Sequence, residues 1–155
     1  MKNYRTQVFV ALAAAVMAVP PGWALDMAIT PVQGLAFGKF VAGTGGTVTV
    51  SVSGGRSASA GVVLVPSGTG ATAQFSVTGD PSRTYALSLP ANGAVLMTSG
   101  ASSMAVNNFT GSPALSGQLS GGGTQTVSVG ATLSVGSDQP HGSYSGTFDV
   151  TVNYN

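Results

Sequence analysis

Residues 127–135 read Val-Ser-Val-Gly-Ala-Thr-Leu-Ser-Val, an alternation of apolar with small or polar side chains. Successive side chains of a β-strand point to opposite faces of its sheet, so one face of this stretch is apolar throughout. The residues on that face are Val127, Val129, Ala131, Leu133 and Val135. A period of two predicts a strand buried on one side, as in an antiparallel sheet packed on a core.

Similar alternation recurs from residue 47 onward, with Gly-, Pro- and Asn-rich turns between the segments. Residues 60–65 form a short apolar run, which predicts a strand covered on both sides. Asn92-Gly93 predicts a tight hairpin turn, because both residues tolerate positive φ. Eight to eleven short strands without a separating linker favour an all-β fold, a single immunoglobulin-like antiparallel β-sandwich.

The C-terminus carries a second strong strand pattern, over residues 143–154. One face of this predicted last strand is aromatic and β-branched, as half-buried pleated surfaces prefer. Its residues are Tyr144, Phe148, Val150, Val152 and Tyr154.

The N-terminus is typical of a secretory signal peptide covering residues 1–24. Lys2 and Arg5 precede an apolar run that ends at Pro20, and Gly22-Trp23-Ala24 places small residues at positions −3 and −1 of a cleavage site. The run is shorter than the roughly 20 residues that a spanning helix needs. We therefore expect cleavage before Leu25, a β-sandwich domain over residues 25–155, export through the periplasm and no stable membrane anchor.

Charge and cysteine content exclude several classes of protein. Residues 25–155 contain three cationic side chains and four aspartates, a formal net charge of −1. A nucleic-acid-binding protein would instead show a clustered basic surface. There is no cysteine, so the core and the strand pairing must hold the domain together without disulfides.

The sequence offers little catalytic or metal-binding chemistry. His141 is the only histidine, no Gly-x-Ser-x-Gly motif is present, and glutamate is absent. Asp80 and Asp138 lie in predicted turns, and Asp149 lies on the polar face of the last strand. Asp138 and His141 share a loop but lack a visible third ligand. We expect no catalytic residue, no metal or other cofactor, and no enzymatic activity.

Several stretches resemble known bacterial proteins: residues 35–38 (Leu-Ala-Phe-Gly), 46–50 (Gly-Thr-Val-Thr-Val), 75–79 (Phe-Ser-Val-Thr-Gly) and 129–133 (Val-Gly-Ala-Thr-Leu). Together with the closing Gly-x-Tyr-x-Gly-Thr-x-x-Val-x-Val-x-Tyr pattern of residues 142–154, they resemble a family of secreted, Gly-rich bacterial domains of unknown function. The closing pattern is also similar to the last strand of archaic chaperone–usher pilins and of spore-coat-U-type domains.

This resemblance implies a subunit of a cell-surface fimbria or pilus-like fibre, assembled by donor-strand exchange. Its partners would be identical or related subunits, a periplasmic chaperone and an outer-membrane usher. The donor would be the N-terminal segment, whose Leu25, Met27 and Ile29 alternate with other residues before Pro31. A charged residue at Ile29 would then block polymerisation and leave the monomer folded.

The residues of the predicted last strand, listed above, would border the acceptor groove and meet the chaperone. The same period-two pattern fits a first strand paired within its own domain, and the sequence leaves both possibilities open. The alternative function is a self-complete secreted adhesin or binding module, which would recognise glycan or matrix through its loops.

Overall fold

A computed structural model describes the backbone of residues 6–10 and all of residues 25–155. The rest of the predicted signal peptide lies outside the described residues. Within those residues, every regular element is a β-strand. The strands are β1 (Thr6–Val10), β2 (Ala28–Gln33), β3 (Phe40–Val41), β4 (Gly46–Val50), β5 (Arg56–Ala60), β6 (Val63–Leu64), β7 (Ala73–Thr78), β8 (Thr84–Ser88), β9 (Val95–Ser99), β10 (Ser102–Ser112), β11 (Ser116–Gln118), β12 (Thr124–Val135), β13 (Tyr144–Phe148) and β14 (Thr151–Tyr154).

Nine strands form one large curled sheet. Its main path runs β1-β13-β9-β10-β12-β4-β5, and a branch adds β7 beside β12 and β2 beside β7. A second sheet has the order β11-β8-β14, and β3 pairs with β6. Among the described pairs, β1 with β13 is parallel and the others are antiparallel.

The branch arises because β12 is twelve residues long and has two partners along the same edge. Its first half pairs with β7, from Thr124 opposite Thr78 to Val129 opposite Ala73, and its second half pairs with β4. All five apolar positions predicted to face inward on β12 are buried, with Val127 and Leu133 fully so. β12, the strand predicted from residues 127–135, therefore lies at the centre of the large sheet.

Aromatic side chains connect distant strands in the core. The ring of Phe148 on β13 meets the ring of Phe75 on β7 edge-on, with the centroids 6.2 Å apart. Phe148 also packs against Phe109 of β10 at 5.1 Å. Such pairs add about 1 kcal/mol each beyond the burial of their area.

Residues 60–65 are not a strand covered on both sides. β5 ends at Ala60, whose φ is +57°, and a turn separates it from β6. Only Val62 of this run is buried, and 61 % of Val63 is exposed. An apolar run of this length does not distinguish a buried strand from a turn whose one inward side chain anchors it.

Asn92-Gly93 forms a turn, but not a hairpin. Ala94 N donates to Ala91 O, and of the two central residues only Gly93 has positive φ, +75°. The strands on either side, β8 and β9, belong to different sheets. The side chain of Asn92 instead accepts a hydrogen bond from Asn108 N in β10, so contacts distant in sequence decide what the turn connects.

The predicted last strand is two strands. β13 belongs to the large sheet, whereas β14 pairs with β8 in the three-stranded sheet. Asp149 and Val150 lie between the two strands. Residues 25–155 hold thirteen strands rather than eight to eleven, because β3, β6 and β11 are too short to show a period. The all-β prediction is confirmed, and the immunoglobulin-like arrangement stays a prediction.

Candidate subunit-interaction site

The N-terminal segment pairs within its own domain in this structure. β2 runs antiparallel to β7, with Ala28 opposite Thr78 and Ile29 opposite Val77. Pairing becomes irregular after Pro31, whose ring nitrogen carries no hydrogen to donate. Beyond β7, β2 contacts β14. We call the space between β7 and β14 that holds residues 25–31 the N-terminal groove.

The three predicted donor side chains differ in their surroundings. Ile29 and Met27 are buried, with 2 % and 8 % of their surfaces exposed. Leu25 is 60 % exposed. Two of the three side chains therefore fill the N-terminal groove, and burying side chains of this size contributes about 1.5–3 kcal/mol each.

A closed set of hydrogen bonds holds the start of this segment, and we call it the terminal clasp. Leu25 N donates to Asp80 Oδ1, Tyr154 Oη donates to Leu25 O, and Asp80 N donates to Tyr154 Oη, each at 2.8 Å. Both backbone polar groups of Leu25 are bound in this way. The terminal clasp joins the N-terminal segment to the last residue of β14.

The turn after β7 positions the clasp. A Cβ atom on Gly79 would lie 2.7 Å from Tyr154 Oη, so only glycine lets the phenol reach Asp80 N without displacement. Asp80 O accepts a hydrogen bond from Arg83 N at 3.3 Å. The Arg83 guanidinium carbon lies 5.4 Å from the centroid of the Tyr154 ring, a cation–π contact on the same side chain.

The residues of the predicted last strand face the core but do not form one edge. Tyr144, Phe148, Val150 and Val152 are at most 3 % exposed, and Tyr154 packs partly buried against the core. Of these five, Tyr154 bonds directly to the N-terminal segment. Tyr144 and Phe148 lie on β13, away from β2 in the order of the large sheet.

β13 has a different strand on its outer edge. β1 pairs with it in parallel, from Thr6 opposite Tyr144 to Val10 opposite Phe148. On its other side, β13 meets β9 at Ser145 opposite Thr98. The outer edge of β13 is thus covered by residues that the sequence assigns to the signal peptide.

The remaining candidate residues do not converge on a centre. Asp149 and His141 are exposed, and Asp138 lies in a turn with φ of +56°. Across the described part of the chain, no group of three or more His, Cys, Asp and Glu side chains is placed to hold a metal ion. Nor does this part contain a helix long and apolar enough to cross a membrane.

The sequence predicted Asp80 as a turn residue and did not indicate its role in the terminal clasp. It does lie in a turn, but its carboxylate binds Leu25, 55 residues earlier in the chain. The sequence around it, Gly79-Asp80-Pro81, is a turn signal and nothing in it points to such a distant partner.

Comparison with known protein families gives a match over most of the chain. A search of curated proteins found nothing similar to this chain. Residues 27–154 match the model of a family described as "Domain of unknown function (DUF4402)", and the match spans β2 to β14. It begins at Met27 in the N-terminal groove and ends at Tyr154 in the terminal clasp, so the candidate site lies within the matched residues except for Leu25 and Asp26. The chain is a member of the DUF4402 family.

Proposed function

We propose that this protein is a structural subunit of a cell-surface fimbria or pilus-like fibre, in which residues 25–31 leave their own N-terminal groove and fill that of the next subunit. The observation that carries the proposal is the position of β2. Among the described strands it pairs only with β7, and two buried side chains hold the segment in place: Met27, just before β2, and Ile29 within it.

Exchange of this kind conserves the contacts that the structure contains. A β2 from a neighbouring subunit would meet the same β7 in the same register, with Ile29 opposite Val77. Swapping an identical element between copies is a low-cost route to association, since no new surface must evolve. When a subunit gives its segment to one neighbour and receives one from another, head-to-tail exchange builds an open fibre if the rotation between subunits does not close a ring.

The C-terminal end of β2 and the residue after it suit a hinge. Val32, Gln33 and Gly34 are exposed, and the pairing with β7 is irregular between Pro31 and Gln33. Leu35, 1 % exposed, then anchors the chain in the core. An exposed connection between two anchored segments is where an element can swing out without disturbing the rest of the domain.

Further parts of this proposal rest on the sequence. The signal-peptide pattern of residues 1–24 supports export through the periplasm, and the number and spacing of the predicted strands support an immunoglobulin-like arrangement. Assembly by a chaperone and an outer-membrane usher, and a role in cell adhesion, rest on the resemblance of residues 142–154 to pilins. The near-neutral mature chain supports self-association, because a surface with little net charge opposes it weakly.

Paired cysteines test the exchange directly, because the chain has none of its own. Thr30 and Ser76 lie opposite each other on β2 and β7, outside the buried core. Opposite residues of antiparallel strands have Cα atoms about 4.5–5.5 Å apart, within reach of a disulfide. In fibres sheared from cells, T30C/S76C is expected to give a ladder of covalent multimers on a heated, non-reducing gel.

The matched control is T49C/T132C. These threonines lie opposite each other on β4 and β12, with their hydroxyl oxygens 2.9 Å apart, and neither strand belongs to the exchanged segment. The control is expected to give only internally crosslinked monomer. A monomer band alone from T30C/S76C, with the disulfide formed, would overturn the exchange.

A second candidate function, a self-complete secreted adhesin or binding module, is favoured by the internal pairing of β2 and by the terminal clasp. In that case the N-terminal segment stays in its own sheet and the loops carry recognition of glycan or matrix. Unheated and heated denaturing gels of the unmodified surface protein would then both show a single monomer band.

A further inference from the structure

The terminal clasp binds the backbone of Leu25 and leaves its side chain in solvent. The Leu25 N–H and C=O groups each make a 2.8 Å hydrogen bond, whereas 60 % of the residue is exposed. A contact that existed only to bury an apolar side chain would cover the Leu25 side chain and would not need to bind its backbone groups. What the clasp recognises at this position is the main chain itself.

We propose that Asp80 and Tyr154 form a binding site for the free α-ammonium group that cleavage after Ala24 creates at Leu25. Hydrolysis adds water across the Ala24–Leu25 peptide bond. The hydroxyl goes to the carbonyl carbon of Ala24, and the nitrogen of Leu25 leaves with a proton and takes up a second to become an ammonium. The nitrogen that already donates to Asp80 Oδ1 thereby changes from a neutral amide with one N–H into a cation with three.

The carboxylate is held in place before the charge is created. Asp80 N is bound by Tyr154 Oη, and Asp80 O by Arg83 N, so the turn is fixed at both backbone groups. The bond from the Leu25 amide to the Asp80 carboxylate already involves one charge, and an ammonium donor adds a charge of opposite sign and so a Coulomb attraction between the two groups. Processing therefore strengthens the hold on residue 25 through partners that are already in place.

Two other charged groups lie near this site. Arg83 stacks on the Tyr154 ring, and the exposed Asp26 follows Leu25 directly. Asp26 offers the natural control, since it carries the same charge as Asp80 one residue from the terminus but makes no hydrogen bond in the clasp. The inference holds whether the terminus belongs to the same subunit or to its neighbour, and so stands apart from the fibre proposal.

The first experiment is mass spectrometry of the exported protein, which is expected to begin at Leu25. A mature chain that begins elsewhere would overturn the proposal. The second compares urea unfolding of two purified forms, one beginning at Leu25 and one that retains Ala24. Because the pair is partly solvent-exposed, the Leu25 form is expected to have an unfolding constant about twofold to fivefold smaller.

Substitutions test whether the terminal clasp causes the difference in stability between the two forms. Asp80→Asn keeps a group that can accept the hydrogen bond but removes the charge, so the two forms are expected to become equally stable. Asp26→Asn is expected to leave the difference unchanged. Equal stability of the two unsubstituted forms, or a difference that persists in Asp80→Asn, would overturn the proposal.

The reactivity of the terminus gives a readout that does not depend on stability. Acetylation of the Leu25 α-amino group by a small amine-directed reagent is expected to be slower in the unsubstituted protein than in Asp80→Asn, by about the same factor. Equal rates in a protein shown to be folded would contradict the assignment.

Discussion

Ile29 on β2 lies directly opposite Val77 on β7, and both side chains are buried in the core of the same domain. The segment predicted to be a donor therefore already completes its own sheet in the monomer. Since Ile29 is buried in the monomer, we now expect a charged residue at position 29 to destabilise the monomer as well, because an unpaired charge in this place has no water to solvate it.

Comparing Ile29→Ala with Val32→Ala tests how much the buried face of β2 contributes to stability relative to its exposed face. We expect the free energy of unfolding to fall by about 2–4 kcal/mol, from the lost transfer energy and the cavity that remains. Val32→Ala, on the same strand but with Val32 63 % exposed, is expected to change it by less than about 0.5 kcal/mol. Urea denaturation of both variants measures this, and similar small losses would mean that β2 is not held as described.

Tyr154→Phe removes the hydroxyl at the centre of the terminal clasp. It leaves Leu25 O and Asp80 N without the partner that each has in the structure. We expect a loss of about 1–3 kcal/mol and faster amide hydrogen exchange at residues 27–30 than in the unsubstituted protein. Unchanged exchange rates there would show that the clasp does not hold the N-terminal segment.

Tyr85→Phe is expected to have the opposite effect. The Tyr85 side chain is completely buried, and its hydroxyl has no hydrogen-bond partner among the residues that the structure describes. Removing an unsatisfied polar group relieves its desolvation cost, so we expect stability to be unchanged or to rise by about 1 kcal/mol. A loss above 1 kcal/mol in thermal unfolding would show that the hydroxyl has a partner in solution, such as a buried water.

The buried phenol of Tyr85 also leads us to expect that stability changes at alkaline pH. Burial raises the pKa of the Tyr85 phenol above its usual value near 10. Above that pH the unfolded chain loses this proton before the folded chain does, so the folded state binds more protons and stability falls as pH rises. The decline is expected to be shallower in Tyr85→Phe, and equal slopes above pH 10 would contradict the assignment.

Arg56→Lys tests how the β3–β6 pair is fastened to the large sheet. The Arg56 guanidinium donates to the carbonyl oxygens of Phe37, Lys39 and Val65 at 3.1, 3.0 and 2.9 Å. A lysine has one nitrogen and cannot reach three carbonyls placed for a planar fork. We expect a loss of about 1–3 kcal/mol in urea unfolding, and less than about 0.5 kcal/mol for Arg83→Lys, whose side chain is exposed. Equal losses of stability in the two variants would mean that the three Arg56 hydrogen bonds do not stabilise the fold.

The pattern of apolar residues predicted which side chains face inward, even where it misplaced strand ends. Val129 and Leu133 are buried as expected on β12, and so are Tyr144 and Val152, although the predicted last strand is divided between two sheets. The hairpin of β9 and β10 went unpredicted, although Val95 and Met97 alternate with exposed residues. Its alternation is brief, and Gly100 interrupts it.

The candidate site was predicted in part. The sequence identified residues 25–29 as a period-two segment and Tyr154 as an inward residue, but not that they meet. Asp80 could not be found, since its role depends on a turn that brings it to Leu25 from 55 residues away.

The sequence by itself determined that residues 25–155 form strands and which face of most of them is buried, because a period of two is a local property of the extended chain. Only the tertiary structure decided which strands are neighbours: β2 beside β7, β12 shared between β7 and β4, and Tyr154 bound to Leu25. Backbone hydrogen bonds are the same for any pair of strands, so the choice of partner is made by the side chains that fill a common core.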